Sequence, residues 1–260
     1  MSLRPPPPLT LTGERTAPGV PHENYWFRRH EAVYAAVPGF VPSSPTVVVD
    51  AGSGEGYGAS LLAQAFTGAA VLGVDYDTSS CAHAAAAHTG PRTAYVQGLV
   101  TALPVAPEVA DVVVSLQVVE HIWNPDGYLR ELARVCRPGG VVVLSTPNRL
   151  TFSPGLGRRQ RPANVFHCRE YDADELVKSA SRWAPDLSAT QVLGLRHGPR
   201  LRAWERRHGP LPVALAGSEP REWPTAVHEV VASVTAGDFE LVAGPLDECL
   251  DLVVVLRKRV

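Results

Sequence analysis

Apolar positions along this chain follow two rhythms. In "NYWFRRHEAVYAAV", residues 24–37, Trp26, Phe27, His30, Val33, Tyr34 and Val37 recur at helical spacing, and Pro38 and Gly39 end the pattern. A short amphipathic helix is expected there. Beyond it, β-branched runs at 46–51, 70–74, 94–97, 111–116 and 141–145 alternate with helix-like stretches. Most of these runs are apolar at consecutive positions, as suits strands covered on both faces. The helix after Asn124 is the best marked. Asn124 can cap it, Pro125 suits its first turn, Tyr128, Leu129, Leu132, Val135 and Cys136 form its inner stripe, and "RPGG" stops it.

Further strands are expected at 188–195 and in the closing "LDLVVVLRKR", which makes seven, with a helix at 172–182. Alternation of this kind predicts an α/β, doubly wound, mostly parallel sheet that binds ligands at the carboxyl ends of its strands. The roughly fifty residues between the last two strands are long for a connection. They read as a helical cap, at about 196–247, inserted before the last strand. The expected organisation is a flexible proline-rich tail over 1–22, a lid helix over 23–45, and one domain over 46–260 that includes the cap.

Composition narrows the function. A formal net charge of −2 gives no basic footprint, so the expected partner is a small molecule or neutral polymer rather than nucleic acid. Four well-separated cysteines without a CxxC pair fit reduced thiols in the cytoplasm, and no leader or membrane-length apolar run is apparent. The oligomeric state stays open, a homodimer being one arrangement the sequence allows.

The chemistry gathers around "VVVDAGSGEGYGA", residues 47–59. Glycines at alternate positions permit unusual backbone angles and clear side chains from a ligand's approach. A dinucleotide fingerprint counted from Gly52 puts its third glycine on Tyr57, and a frame shifted to Gly54, Gly56 and Ala59 displaces the turn. The spacing instead reads D-x-G-x-G-x-G, from Asp50 through Gly52 and Gly54 to Gly56, with Ser53 inside the turn. Asp50 ends the strand, where a carboxylate suits an ammonium-bearing ligand.

This pattern resembles the first motif of the class I S-adenosylmethionine-dependent methyltransferases, a likeness that covers about residues 46–150. It implies a Rossmann-like methyltransferase fold and S-adenosylmethionine as cofactor. In "VLGVDYD", Asp75 matches the acidic residue that holds both ribose hydroxyls, with Tyr76 beside the adenine. In "VQGLVTALPV", Leu99 stands where an aspartate is common, which leaves adenine recognition to backbone near Leu99 and Val100. Gln117, at the edge of the fourth strand, is a further cofactor contact. The segments "LTGERT", "ENYWFRRH", "STPNRLTFSPG", "HGPRLRAWERRHG" and "VTAGDFEL" resemble actinobacterial methyltransferases associated with methylated glucose polysaccharides, which favours a sugar hydroxyl as acceptor.

Methyl transfer to a hydroxyl requires aligned reactants and a base. "EH" at the lip of the fourth strand supplies Glu120 and His121, the candidate catalytic pair, with His121 as the base. In some relatives an earlier Glu joins such a pair to hold a divalent metal. Here Gln117 stands in its place, a weaker ligand for Mg²⁺, and His167 is not assigned to a ligand set by sequence. The helix before the first strand corresponds to a segment that closes over the cofactor in many relatives, so Tyr25 and Arg29, with Arg28 and His30, are expected at the methionine carboxylate. In the cap, Arg196, His197, Arg200, Arg202, Arg206 and Arg207 offer a polar surface, and Trp183 and Trp223 could stack on a sugar. The alternatives are O- or N-methylation of another small metabolite, a nucleotide-binding oxidoreductase, and a cofactor-binding regulatory protein without turnover.

Overall fold

The computed structural model describes residues 16, 18–42 and 44–260, so most of the proline-rich tail lies outside the described residues. In chain order the elements are α1 (Asn24–Ala36), β1 (Val47–Ala51), α2 (Tyr57–Ala65), β2 (Ala70–Asp75), α3 (Thr78–His88), β3 (Thr93–Gln97), β4 (Ala110–Leu116), α4 (Pro125–Val135) and β5 (Cys136–Pro147). There follow α5 (Arg149–Phe152), α6 (Ala173–Trp183), β6 (Leu187–His197), α7 (Pro199–His208), α8 (Leu211–Ala216), α9 (Thr225–Ser233), β7 (Phe239–Val242) and β8 (Asp251–Lys258).

One sheet runs β3-β2-β1-β4-β5-β8-β6-β7. Strands β1 to β5 pair in parallel, and β8 enters antiparallel between β5 and β6. The expected seven strands are therefore eight. The extra one, β7, pairs antiparallel with β6 through residues 239–242. Its sequence "FELV" sits inside the expected cap and mixes polar with apolar residues, so its membership of the sheet comes from pairing with β6 rather than from a marked local pattern.

Side-chain alternation along each central strand builds two cores. Val48, Val112, Val114, Val143, Val253 and Val255 point to one face, while Val49, Val113, Val142, Leu144, Leu252 and Val254 point to the other. Helices α1, α2 and α9 pack on the first face, and α4 and α6 on the second. The α4 cap is the expected one, with Asn124 accepting from Gly127 N at 3.2 Å. Strand order reverses between β1 and β4, which opens a crevice at their carboxyl ends.

Candidate active site

The loop after β1 is built from backbone. Gly52 N and Ser53 N both donate to Val74 O, at 2.8 and 3.0 Å, which ties the turn to β2. Gly52, Gly54 and Gly56 have φ of +87°, +53° and +98°. A Cβ on Gly52 would come within 2.5 Å of Val118, and one on Gly56 within 2.5 Å of Ala84, whereas a Cβ on Gly54 would meet nothing within 4 Å. Two of these glycines serve packing, and Gly54 faces open space.

Asp75 Oδ2 accepts from Gly54 N at 2.9 Å and Oδ1 from Asp77 N at 3.0 Å. A carboxylate has about four acceptor positions, so these two bonds leave capacity for a diol. Asp50 is wholly buried, with Tyr34 Oη donating at 3.2 and 3.3 Å to its two oxygens, and burial pushes its carboxyl up to about 7. Tyr34 reaches Asp50 only because position 58 is glycine: a Cβ there would fall 2.1 Å from the Tyr34 ring.

Two cavities meet at this edge. One, of about 80 Å³, is lined by the 52–55 turn with Tyr34, Tyr57 and Leu116, and the other, of about 230 Å³, by Trp26, Arg29, Glu120, His121, Phe152 and His167 among others. Thr16, His30 and Gln117 line both. His30 is held neutral, since burial pushes its pKa down to about 4, and its Nδ1 lies 3.2 Å from Tyr57 Oη.

In the larger cavity three donors converge. His121 Nδ1 is 3.0 Å from Phe166 O; a carbonyl only accepts, so the hydrogen sits on Nδ1 and the neutral ring keeps its lone pair on Nε2. His167 Nδ1 likewise faces Glu170 Oε1 at 2.9 Å. Glu120 is buried, accepts from Thr146 Oγ1 at 3.0 Å, and has its carboxyl raised by burial. One donor atom from each of Glu120, His121 and His167 lies within 4.8 Å of the other two. A hydrogen-bonded second nitrogen on each imidazole and a carboxylate alongside form a donor set that fits a divalent cation.

Several expected residues are placed elsewhere. Tyr25 is turned away from both cavities: it is buried, with its hydroxyl 2.8 Å from His197 Nε2 beneath the insert. Arg29 reaches the larger cavity, yet its guanidinium is engaged by Asp251, with Nε to Oδ2 at 2.5 Å, and by Leu250 O at 2.9 Å. Arg28 pairs with Glu31 at 2.7 Å. Tyr76 and Leu99 are exposed at the ends of β2 and β3, with Val100 half-buried beside Leu99, and none of the three lines a cavity described above. Gln117 Nε2 donates to Ser145 Oγ at 3.1 Å and Asp251 Oδ1 at 3.3 Å.

Residues 196–247, expected as a cap, line neither of these cavities, and Trp223, Val227, Val230 and Val231 instead pack into the first core. Arg200 is bidentate to Asp238 at 2.6 Å, Arg196 and Arg202 share Glu240, and Trp223 is buried against Trp26 with ring centroids 6.3 Å apart. Trp223 is thus a core residue and not a stacking platform. Trp183 packs against the second core. His30 lines both cavities, in keeping with its expected place on the cofactor side, whereas Tyr34, Tyr57 and Thr16 are site residues that sequence reasoning did not assign there; the helical spacing of α1 marked Tyr34 only as apolar face.

An open crevice of this kind, after β1 and β4 of such a sheet, defines a Rossmann-like fold that binds its ligand at the switch point. The family model described as "Methyltransferase domain" matches residues 49–144. A Mycobacterium tuberculosis (strain H37Rv) protein named "Probable S-adenosylmethionine-dependent methyltransferase Rv3030" is 42% identical, over 96% of this chain and 90% of its own. A Mycolicibacterium smegmatis protein of corresponding name is 40% identical over 96% and 95%. In fold, the chain is similar to an S-adenosylmethionine-dependent methyltransferase from Mesorhizobium loti, with a TM-score of 0.57 and 18% identity over 87% of this chain and 98% of that one. This chain belongs to the S-adenosylmethionine-dependent methyltransferases, and S-adenosylmethionine is its cofactor. The open position at Gly54 and the spare acceptor capacity of Asp75 fit that ligand. Among the described residues no helix is long and apolar enough to cross a membrane.

Proposed function

We propose that the enzyme methylates a hydroxyl oxygen, on a sugar or oligosaccharide, with His121 as general base. The observation that carries this reading is the His121 tautomer: the Phe166 carbonyl holds the hydrogen on Nδ1, and the basic Nε2 sits in a cavity that adjoins the glycine loop. An amine acceptor brings its own lone pair, whereas a hydroxyl has to lose a proton during transfer. The bound cofactor supplies an electrophilic methyl group. As the acceptor oxygen bonds to that methyl and the carbon–sulfur bond breaks, His121 Nε2 takes the hydroxyl proton. Glu120, with Oε1 3.9 Å from that nitrogen, stabilises the imidazolium formed. Gly52 to Gly56 and Asp75 hold the cofactor's methionine end and ribose, Asp50 acts from beneath the loop, and Tyr76, Leu99 and Val100 border the adenine.

A saccharide is supported by the cavity's mixed lining, in which Gln117, Asn164 and His121 offer polar contacts while Trp26 and Phe152 offer ring faces. The resemblance of the flanking segments to methyltransferases of methylated glucose polysaccharides points the same way. A labelled-methyl assay against oligosaccharides, small phenols and amines tests it. Incorporation into sugar hydroxyls is expected; incorporation confined to phenols or amines overturns the saccharide reading.

The convergence of Glu120, His121 and His167 favours a second reading, in which these three hold a divalent cation. Such an ion would lower the pKa of an acceptor hydroxyl and leave His121 a ligand rather than a base. Two imidazoles and one carboxylate suit a transition ion better than Mg²⁺. Running the assay with and without a chelator separates the two: chelator-resistant turnover supports the base, and loss restored by added metal supports the ligand set.

A further inference from the structure

A second cluster of donors lies on the opposite side of the glycine loop, away from the acceptor cavity. Glu55, between Gly54 and Gly56, turns its side chain toward α3. Its Oε1 lies 3.3 Å from His83 Nε2 and 3.0 Å from His88 Nε2, and the three donor atoms fall within 4.8 Å of one another. We propose that Glu55, His83 and His88 bind a divalent transition ion, Zn²⁺ by donor chemistry, that clamps the cofactor loop to α3.

Three observations support it. The first is spacing: tetrahedral Zn²⁺ with bonds near 2.0–2.1 Å sets its ligands about 3.3 Å apart. The two carboxylate–imidazole separations already have that scale. The second is an imbalance at Glu55. Both imidazoles crowd Oε1, while Oε2, equally buried, has no hydrogen-bond partner among the described residues. A network selected for hydrogen bonding alone would place one donor on each oxygen, because a buried acceptor left without a partner is costly. A cation between the three side chains, held by both carboxylate oxygens and both Nε2 lone pairs, resolves that imbalance.

The third observation is access and support. The Glu55 side chain is 5% exposed, and those of His83 and His88 are 15% and 19% exposed. The carboxylate is therefore anchored while the imidazoles sit at an entry path from solvent. The loop already leans on α3, since a Cβ on Gly56 would meet Ala84 at 2.5 Å. Two imidazole nitrogens and the two oxygens of one carboxylate supply four donors, the number that zinc commonly takes. The ion would join the backbone around Gly54 to a helix that carries no acceptor-side residue. Its expected effect is to stiffen the cofactor loop without entering the chemistry.

The test uses the full chain, stripped of metal with a chelator and then titrated with Zn²⁺. Four proteins are compared: the wild type, His83→Gln/His88→Gln, His83→Gln alone, and His121→Gln/His167→Gln. Bound zinc is counted after dialysis, thermal melting is followed with and without zinc, and adenosylhomocysteine binding reports that each variant is folded. The α3 double variant is expected to bind one zinc fewer than the wild type and to lose the metal-induced rise in melting temperature, with adenosylhomocysteine binding retained. His83→Gln alone should weaken zinc affinity at least tenfold, which keeps the test decisive should the double variant fold poorly. Substituting Co²⁺ should give the visible bands of four-coordinate cobalt in His121→Gln/His167→Gln, where the α3 donors remain, and their absence there would overturn the proposal. Zinc stoichiometry and melting shift unchanged by the α3 substitutions would overturn the proposal, as would a wild type that takes up no zinc at micromolar concentration.

Discussion

The two sides of the crevice are made of different material. The cofactor side is main chain: three glycines at positive φ, held by bonds to Val74 O and to the Asp75 carboxylate, within a continuous stretch of sequence. The acceptor side is side chain, gathered from α1, the turn after β4, the end of β5 and the 152–167 segment. A backbone site depends on a few positions remaining glycine and tolerates little. A site assembled from side chains can lose one group and keep its shape.

That contrast sets out a graded series of outcomes. The largest effect is expected for His121→Ala, which should lower kcat by about 10²–10⁴-fold if the residue is the base. Because the substitution leaves the backbone loop untouched, adenosylhomocysteine affinity measured by calorimetry should stay within about threefold of the wild type. A large loss of both would show that the two sides are not separable.

Next comes Gly58→Ala. The added methyl meets the Tyr34 ring, which is buried and bonded to Asp50, so neither partner gives way cheaply. Overpacking of this kind costs about 3 kcal/mol, read as a fall in the chemical-denaturation midpoint.

Asp50 carries a pH signature of similar or smaller size. Its carboxyl is raised to about 7 from 3.8, so between those values the folded chain keeps a proton that the unfolded chain has released. Stability then falls as pH rises through that window, by about 2–4 kcal/mol in all at 1.36 kcal/mol per unit. Below the lower value the contribution is fully present; above pH 7 the loss is complete. Asp50→Asn should flatten the dependence of melting temperature on pH between 5 and 8. Burial is the leading cause, so a steep profile surviving in the variant would move the effect to another group.

Gly54→Ala sharpens the comparison from the other end. With open space around it, the substitution should cost only about 1 kcal/mol of stability, from its positive φ. Yet it should reduce cofactor affinity by more than about tenfold, since the methyl projects where the ligand approaches. Stability and affinity should thus respond in opposite order at Gly54 and Gly58, only four residues apart.

The same division explains what could be read from the chain. The strands β1 to β5, the α4 cap at Asn124 and the glycine turn depend on local periodicity and local backbone preference, which sequence displays directly. The acceptor side depends on contacts across long separations. His167 is 46 positions beyond His121, and only the course of the chain after β5 brings their rings to 5.0 Å. Its hint was the spacing of His167 to Glu170 in "HCRE", an imidazole with a carboxylate three residues on. Tyr25 shows the opposite failure: it was expected at the methionine carboxylate, and nothing local in the sequence tells that α1 turns it instead to His197, 172 positions away. Arg29 was expected to be available to a ligand because an arginine's partner, here Asp251, cannot be guessed from 222 residues away.

That last pairing ties the helix ahead of β1 to the interior of the sheet. The guanidinium of α1 is buried and balanced by a residue of the final strand, β8, which itself slots between β5 and β6. Replacing Asp251 with an apolar residue would leave an uncompensated buried cation at one wall of the crevice, which is strongly disfavoured. The crevice therefore depends on a strand far along the chain, since without β8 one wall would lose the carboxylate that balances its guanidinium.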